Sequence, residues 1–134
     1  MADGLKALSV VVFDGGYERV HYALVMASAA AATNRPATLF FTGPALVALT
    51  PGGWRRLGGR PEARDAELAA RGVATFEPLL EACRDLGVRF IACEMGLRAE
   101  GLAPADLDPR LGVEVAGVVT LLNDARADGA LLFI

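Results

Sequence analysis

The 134-residue chain carries 16 acidic and 13 basic side chains, a net charge of −3, and 54% of its residues are hydrophobic. That length fits one domain, 1–134, with little room for two. The mild acidity gives no basic excess for nucleic acid and no polybasic run for a membrane surface. A mean hydropathy of +0.40 allows a sizeable core with apolar surface to spare. Such a surplus favours a homo-oligomer, because monomers rarely leave large apolar patches in water.

The longest near-apolar run, Ala23–Ala32, is interrupted by Ser28 and falls short of the roughly 20 residues that span a bilayer. The opening Met1-Ala2-Asp3-Gly4-Leu5-Lys6 lacks the basic-then-apolar pattern of an export signal, so the expected setting is the reducing cytoplasm. Two cysteines, Cys83 and Cys93, form no disulfide framework, no metal-ligand spacing and no CxxC pair. No metal and no cofactor is expected.

In chain order, the Val-rich stretch Ala7–Phe13 reads as a buried strand, and Asp14-Gly15-Gly16 turns the chain. Tyr17–Thr33 reads as a helix with Glu18 near its positive end, stopped by Asn34 and Pro36. Ala37–Phe41 is a second strand, followed by Thr42-Gly43-Pro44 and a short apolar segment, Ala45–Leu49. Thr50–Gly72 holds Pro51, Pro61, two Gly pairs and many charges. It predicts a surface excursion with one short helix, more mobile than the core or ordered mainly by subunit contacts.

Thr75–Leu86 predicts a helix with Thr75 as N-cap, Pro78 in the first turn and Gly87 as the stop. Leu79, Leu80, Cys83 and Leu86 share one stripe of it, which places Cys83 in the core. Val88–Ala92 is a strand, and a short helix starts just after Cys93. Val113–Val115 is a brief strand or an extended entry into a helix near Ala116–Arg126. Asp128-Gly129 then turns into a last strand, Ala130–Ile134. Strands without alternation, separated by helices, predict an α/β fold: a mostly parallel five-stranded sheet covered on both faces by right-handed crossovers. The pattern leaves the strand order open.

Ligands of open parallel sheets gather at the carboxyl ends of the strands. Three turns meet there, Asp14-Gly15-Gly16, Thr42-Gly43 and Cys93-Glu94-Met95, and together they outline a possible pocket. Cys93 combines a strand end with a helix start, and a helix N-terminus favours the nucleophilic thiolate. Arg89 and Arg98 would help if they fold toward the sulfur, and Glu94 would oppose. The alternative is a buried, inert cysteine, a common fate for this residue type.

Gly15-Gly16 would let backbone amides approach an anion, but the segment is not GxGxxG and also reads as a plain tight turn. Asp14 reads as a cap or as an ordinary turn residue. His21 is the single histidine and, without spaced partners, reads as a packed or exposed helix residue rather than a ligand or base. Trp54-Arg55-Arg56 reads either as a partner-docking patch or as a ring folded over the domain's own core.

Several segments together resemble a known family. They are Phe90-Ile91-Ala92-Cys93-Glu94-Met95, Gly101-Leu102, Gly112-Val113-Glu114-Val115-Ala116-Gly117-Val118 and the terminal Leu131-Leu132-Phe133-Ile134. Val11-Val12-Phe13 with its Gly turn and Leu39-Phe40-Phe41-Thr42-Gly43 agree. The chain is similar to the DsrE-like (DsrE/DsrF-like) proteins of sulfur relay, in the branch often labelled peroxiredoxin-like. It departs from that branch in a shorter Thr50–Gly72, in Gly96-Leu97-Arg98 after Met95, and in Glu94 where an uncharged polar residue is common.

The resemblance implies a three-layer α/β/α, flavodoxin-like fold, a trimer or hexamer, and TusA-like or rhodanese-like sulfur donors and acceptors. It also implies that Cys93 carries sulfur as a persulfide. The expected function is that of a sulfur carrier or sulfurtransferase-like protein. Its rivals are a non-enzymatic homo-oligomeric module for a small ligand or regulator, and a thiol redox sensor. Peroxidase activity is not expected, because no matched second cysteine would resolve a sulfenic acid.

Overall fold

The computed structural model describes residues 6–125 and 129–134. Five strands, β1 (Leu8–Val12), β2 (Ala37–Phe41), β3 (Arg89–Cys93), β4 (Glu114–Ala116) and β5 (Ala130–Phe133), form one sheet in the order β4-β3-β2-β1-β5. Every pairing is parallel. Five α-helices accompany them: α1 (Tyr17–Ala32), α2 (Pro61–Ala70), α3 (Phe76–Asp85), α4 (Glu94–Ala99) and α5 (Val118–Asp124). The expected elements are present with shifted ends. Cys93 is the last residue of β3, and Ala116 closes β4 rather than opening the helix after it. Arg126 and Asp128, at the expected end of that helix and in the following turn, lie outside the described residues, as do residues 1–5.

The strand order explains how the layers are filled. From β1 to β4 the chain steps in one direction across the sheet, and right-handed crossovers put those connections on one face. The return from β4 to β5 runs the other way and lands on the opposite face. The inward side chains agree. Val10, Val12, Leu39, Phe41, Phe90 and Ala92 pack with α1 and α3 into the main core. The alternate positions, Val11, Phe40, Ile91, Cys93 and Ala116, cluster with Leu121 of α5. The second outer layer of the α/β/α stack is thus the seven-residue α5.

The Thr50–Gly72 excursion is more ordered than its composition suggests. A 3-10 helix, Gly53–Arg56, precedes α2. Trp54, Leu57 and Leu68 are buried. The Trp54 ring stacks on Phe76 with centroids 5.6 Å apart, and its Nε1–H donates to Glu77 at 2.9 Å. Burial of three large apolar side chains outweighs the chain freedom of the glycines and prolines. The ring folded over the domain's own core is therefore the correct reading, not a docking patch. Thr75 precedes α3, but its side chain does not cap it. Asp65 of α2 does so instead, accepting the Phe76 N–H at 2.9 Å, and it also accepts the Tyr17 hydroxyl.

Candidate functional site

Cys93 is at the carboxyl end of β3, an interior strand. Apolar Phe90-Ile91-Ala92 makes that strand a two-sided buried one, and Cys93 then serves as N-cap of α4. Its Sγ accepts the Gly96 N–H at 3.4 Å. A Cβ on Gly96 would lie 2.7 Å from Thr42 Oγ1, 3.0 Å from a Leu46 methyl and 3.3 Å from the Cys93 Cβ. Glycine at 96 is what lets the first turn of α4 close on the sulfur. With six residues, α4 contributes a short dipole, so this one N–H is its main contribution. Alternation turns the thiol to the face roofed by α5, where it belongs to the small buried cluster of Phe40, Ile91 and Leu121 and is 4% exposed.

The flanking charges do not converge on the sulfur. Arg89 begins β3, four residues earlier and about 13 Å away along the strand. There it makes a two-pronged bond to Glu114 at 3.0 and 3.1 Å and reaches Asp124 of α5 at 3.5 Å. Its help to Cys93, conditional in the sequence, is excluded by the length of the strand. Arg98 pairs with Glu94 across one turn at 3.6 Å, and both side chains are well exposed. Met95 is 70% exposed. Cys83 faces the main core, wholly buried, and burial pushes its thiol up to about 12.

The structure brings the three turns to one sheet edge but fills the space between two of them. A Cβ on Gly15 would meet the Pro44 Cβ at 2.7 Å, and one on Gly43, at φ +56°, would meet the Phe13 ring at 2.7 Å. Glycine is required at 43 on both counts. The amides of the first turn are already engaged: Gly16 N–H donates to Asp14 at 2.7 Å and Tyr17 N–H to Gly58 O at 3.1 Å. These two N–H groups are thus unavailable to an anion, so Gly15-Gly16 is a structural turn braced by Asp14. His21 is packed, with Nε2 2.8 Å from Ala74 O. Beside α4, Glu94, Leu97, Arg98, Leu102, Pro104 and Val115 line a shallow groove. No group of three or more His, Cys, Asp or Glu side chains among the described residues could hold a metal ion, and no described helix is long and apolar enough to cross a membrane.

A wholly parallel five-stranded sheet flanked by helices places the chain in the α/β class. Within that class the chain belongs to the DsrE/DsrF-like family, whose profile matches residues 6–132. It is 25% identical to the uncharacterized protein YrkE of Bacillus subtilis, over the whole of both chains. Its fold is similar to that of a protein of unknown function, MTH1491, from Methanobacterium thermoautotrophicum. That pair has 19% identity and a TM-score of 0.66, and covers 96% of this chain and 99% of the other. The ychN protein of E. coli gives 17% identity and a TM-score of 0.62 over the same shares. Membership of the family points to sulfur relay as the general field of activity.

Proposed function

We propose that the protein is a sulfur carrier that holds a transferable sulfur atom on Cys93. The observation that supports this most is the position of the thiol: in a DsrE/DsrF-like sheet it ends an interior strand and receives the Gly96 N–H. An N–H donor bonds a thiolate more strongly than a thiol. In the transfer, the Cys93 thiolate attacks the outer sulfur of a donor persulfide. The donor S–S bond breaks, its electron pair leaves with the donor thiolate, and a Cys93 persulfide forms with no net oxidation. An acceptor thiolate repeats the exchange and regenerates Cys93. Cys83, deep in the other core, offers no path to an internal disulfide that would compete with transfer.

Self-association belongs to the same proposal. Phe13, Leu131 and Phe133 are large, exposed and on the part of the sheet face that α5 leaves bare, and the two Phe rings stack at 5.9 Å. A second copy presenting the same patch would bury them. Sulfur donors and acceptors are proposed to be persulfide- and thiol-bearing proteins of the TusA-like or rhodanese-like kind, and the setting a reducing cytoplasm.

The test is incubation of the intact protein with a persulfide donor followed by whole-protein mass spectrometry. One added sulfur atom per chain, absent in Cys93→Ser, is expected. If chemically distinct donors add none while the thiol still alkylates, a ligand-binding module replaces this reading.

A further inference from the structure

We infer that α5 is a hinged cover over Cys93, and that it leaves the sheet to admit a reaction partner to the sulfur. This rests on the reading of Cys93 as a sulfur carrier. Exchange at a sulfur needs a second sulfur to reach it, yet Cys93 is only 4% exposed and belongs to one buried cluster with Phe40, Ile91 and Leu121. Of those three, Phe40 and Ile91 belong to the sheet and cannot withdraw. Leu121 belongs to α5.

The ties that hold α5 are few. Leu121 is the one residue of the helix that is buried, whereas α1 buries seven and α3 buries four on the opposite face. The second tie is the Arg89–Asp124 pair at 3.5 Å, both side chains nearly half exposed. The helix begins at Gly117, without a side-chain cap. Val119 and Leu122 point away from Leu121 at 67% and 58% exposure, and Val118, one turn before Leu121 on its own side, is still 50% exposed. A helix apolar on both sides has little preference for keeping one of them down. Elements with little buried contact open locally, well below the cost of global unfolding. Cys83 supplies an internal reference, since it is wholly buried on the well-covered face and is reached only through a larger opening.

The experiment compares iodoacetamide labelling rates at Cys93 and Cys83 in the native full chain, by peptide mass spectrometry. Three proteins are compared: wild type, Leu121→Ala and Asp124→Asn. Cys93 is expected to label faster than Cys83 in the wild type, and about tenfold faster again in Leu121→Ala, with Cys83 unchanged. Asp124→Asn is expected to give a several-fold gain at Cys93. It touches only the far end of α5, so it acts through the hold on the helix, and it remains informative if Leu121→Ala folds poorly. Labelling of Cys93 at one rate in all three proteins would overturn the cover, whether that rate equals that of a free thiol or that of Cys83. If Cys93 opens as described but takes up no sulfur from a persulfide donor, the cover stands and the carrier reading fails.

Discussion

Cys93 ends a strand, caps a helix and bears the thiol, so its neighbours answer to three requirements at once. Gly96 meets them by having no side chain. Gly96→Ala would drive a methyl against Thr42 Oγ1 and Leu46, lift α4 and lengthen the N–H to sulfur bond. The expected cost is about 1–3 kcal/mol, typical of overpacking, together with slower sulfur uptake. A urea melt and a loading time course measure the two effects separately. Glu94 is the opposite case: exposed and paired with Arg98, it faces solvent that screens its charge. Glu94→Gln should change the loading rate by less than about threefold, and a large acceleration would show that its carboxylate suppresses the thiol. The placement of Cys93 was legible in the sequence, because an apolar run followed by polar and glycine residues marks a strand end. The distance of Arg89 is legible in the same way, since four residues of extended chain separate its Cα from that of Cys93.

At the scale of elements, Trp54 shows what composition hides. Two Gly pairs and a run of charges mark loop, yet one ring placed on Phe76 turns the segment into part of the core. Nothing local in the sequence names Phe76 or Glu77 as its partners. Trp54→Ala should cost about 3–5 kcal/mol, read as a lowered denaturant midpoint. Amides of the Gly53–Arg56 turn should then exchange faster than those of β3. A second element-scale expectation concerns Asp108, which caps the 3-10 turn Pro109–Leu111 before β4 and is buried. Its bonds to Arg110 hold its carboxyl below the usual range. A carboxyl lowered on folding stabilises the protein above its unfolded value of about 3.9, and that contribution fades as pH falls through the lower folded value. Asp108→Asn should therefore flatten the stability loss as pH falls below about 4, measured by urea midpoints over a descending pH series.

For the whole molecule, the strand order decides most of what matters. The α/β class and the five strands follow from apolar runs alternating with helical stripes. The order β4-β3-β2-β1-β5 does not, because parallel pairing of buried strands leaves no register signal that distinguishes one neighbour from another. Once that order is known, right-handed crossovers assign four of the five helices to one face and leave α5 alone on the other. That asymmetry places Cys93 under a thin roof and leaves Phe13, Leu131 and Phe133 bare. Phe133→Glu should convert an associated species into monomer, seen by light scattering at micromolar concentration. A wild-type protein that scatters as a monomer would remove the association.

The central claim, that Cys93 carries transferable sulfur, is tested most directly by mapping the sulfur within the loaded chain. The protein is incubated with a persulfide donor, trapped by alkylation and digested, and the Cys93 and Cys83 peptides are compared before and after addition of an acceptor thiol. Sulfur carriage by Cys93 predicts the added sulfur on the Cys93 peptide alone and its disappearance when the acceptor is supplied. Sulfur spread over both peptides, or fixed on Cys93 and not released to any thiol, would contradict it.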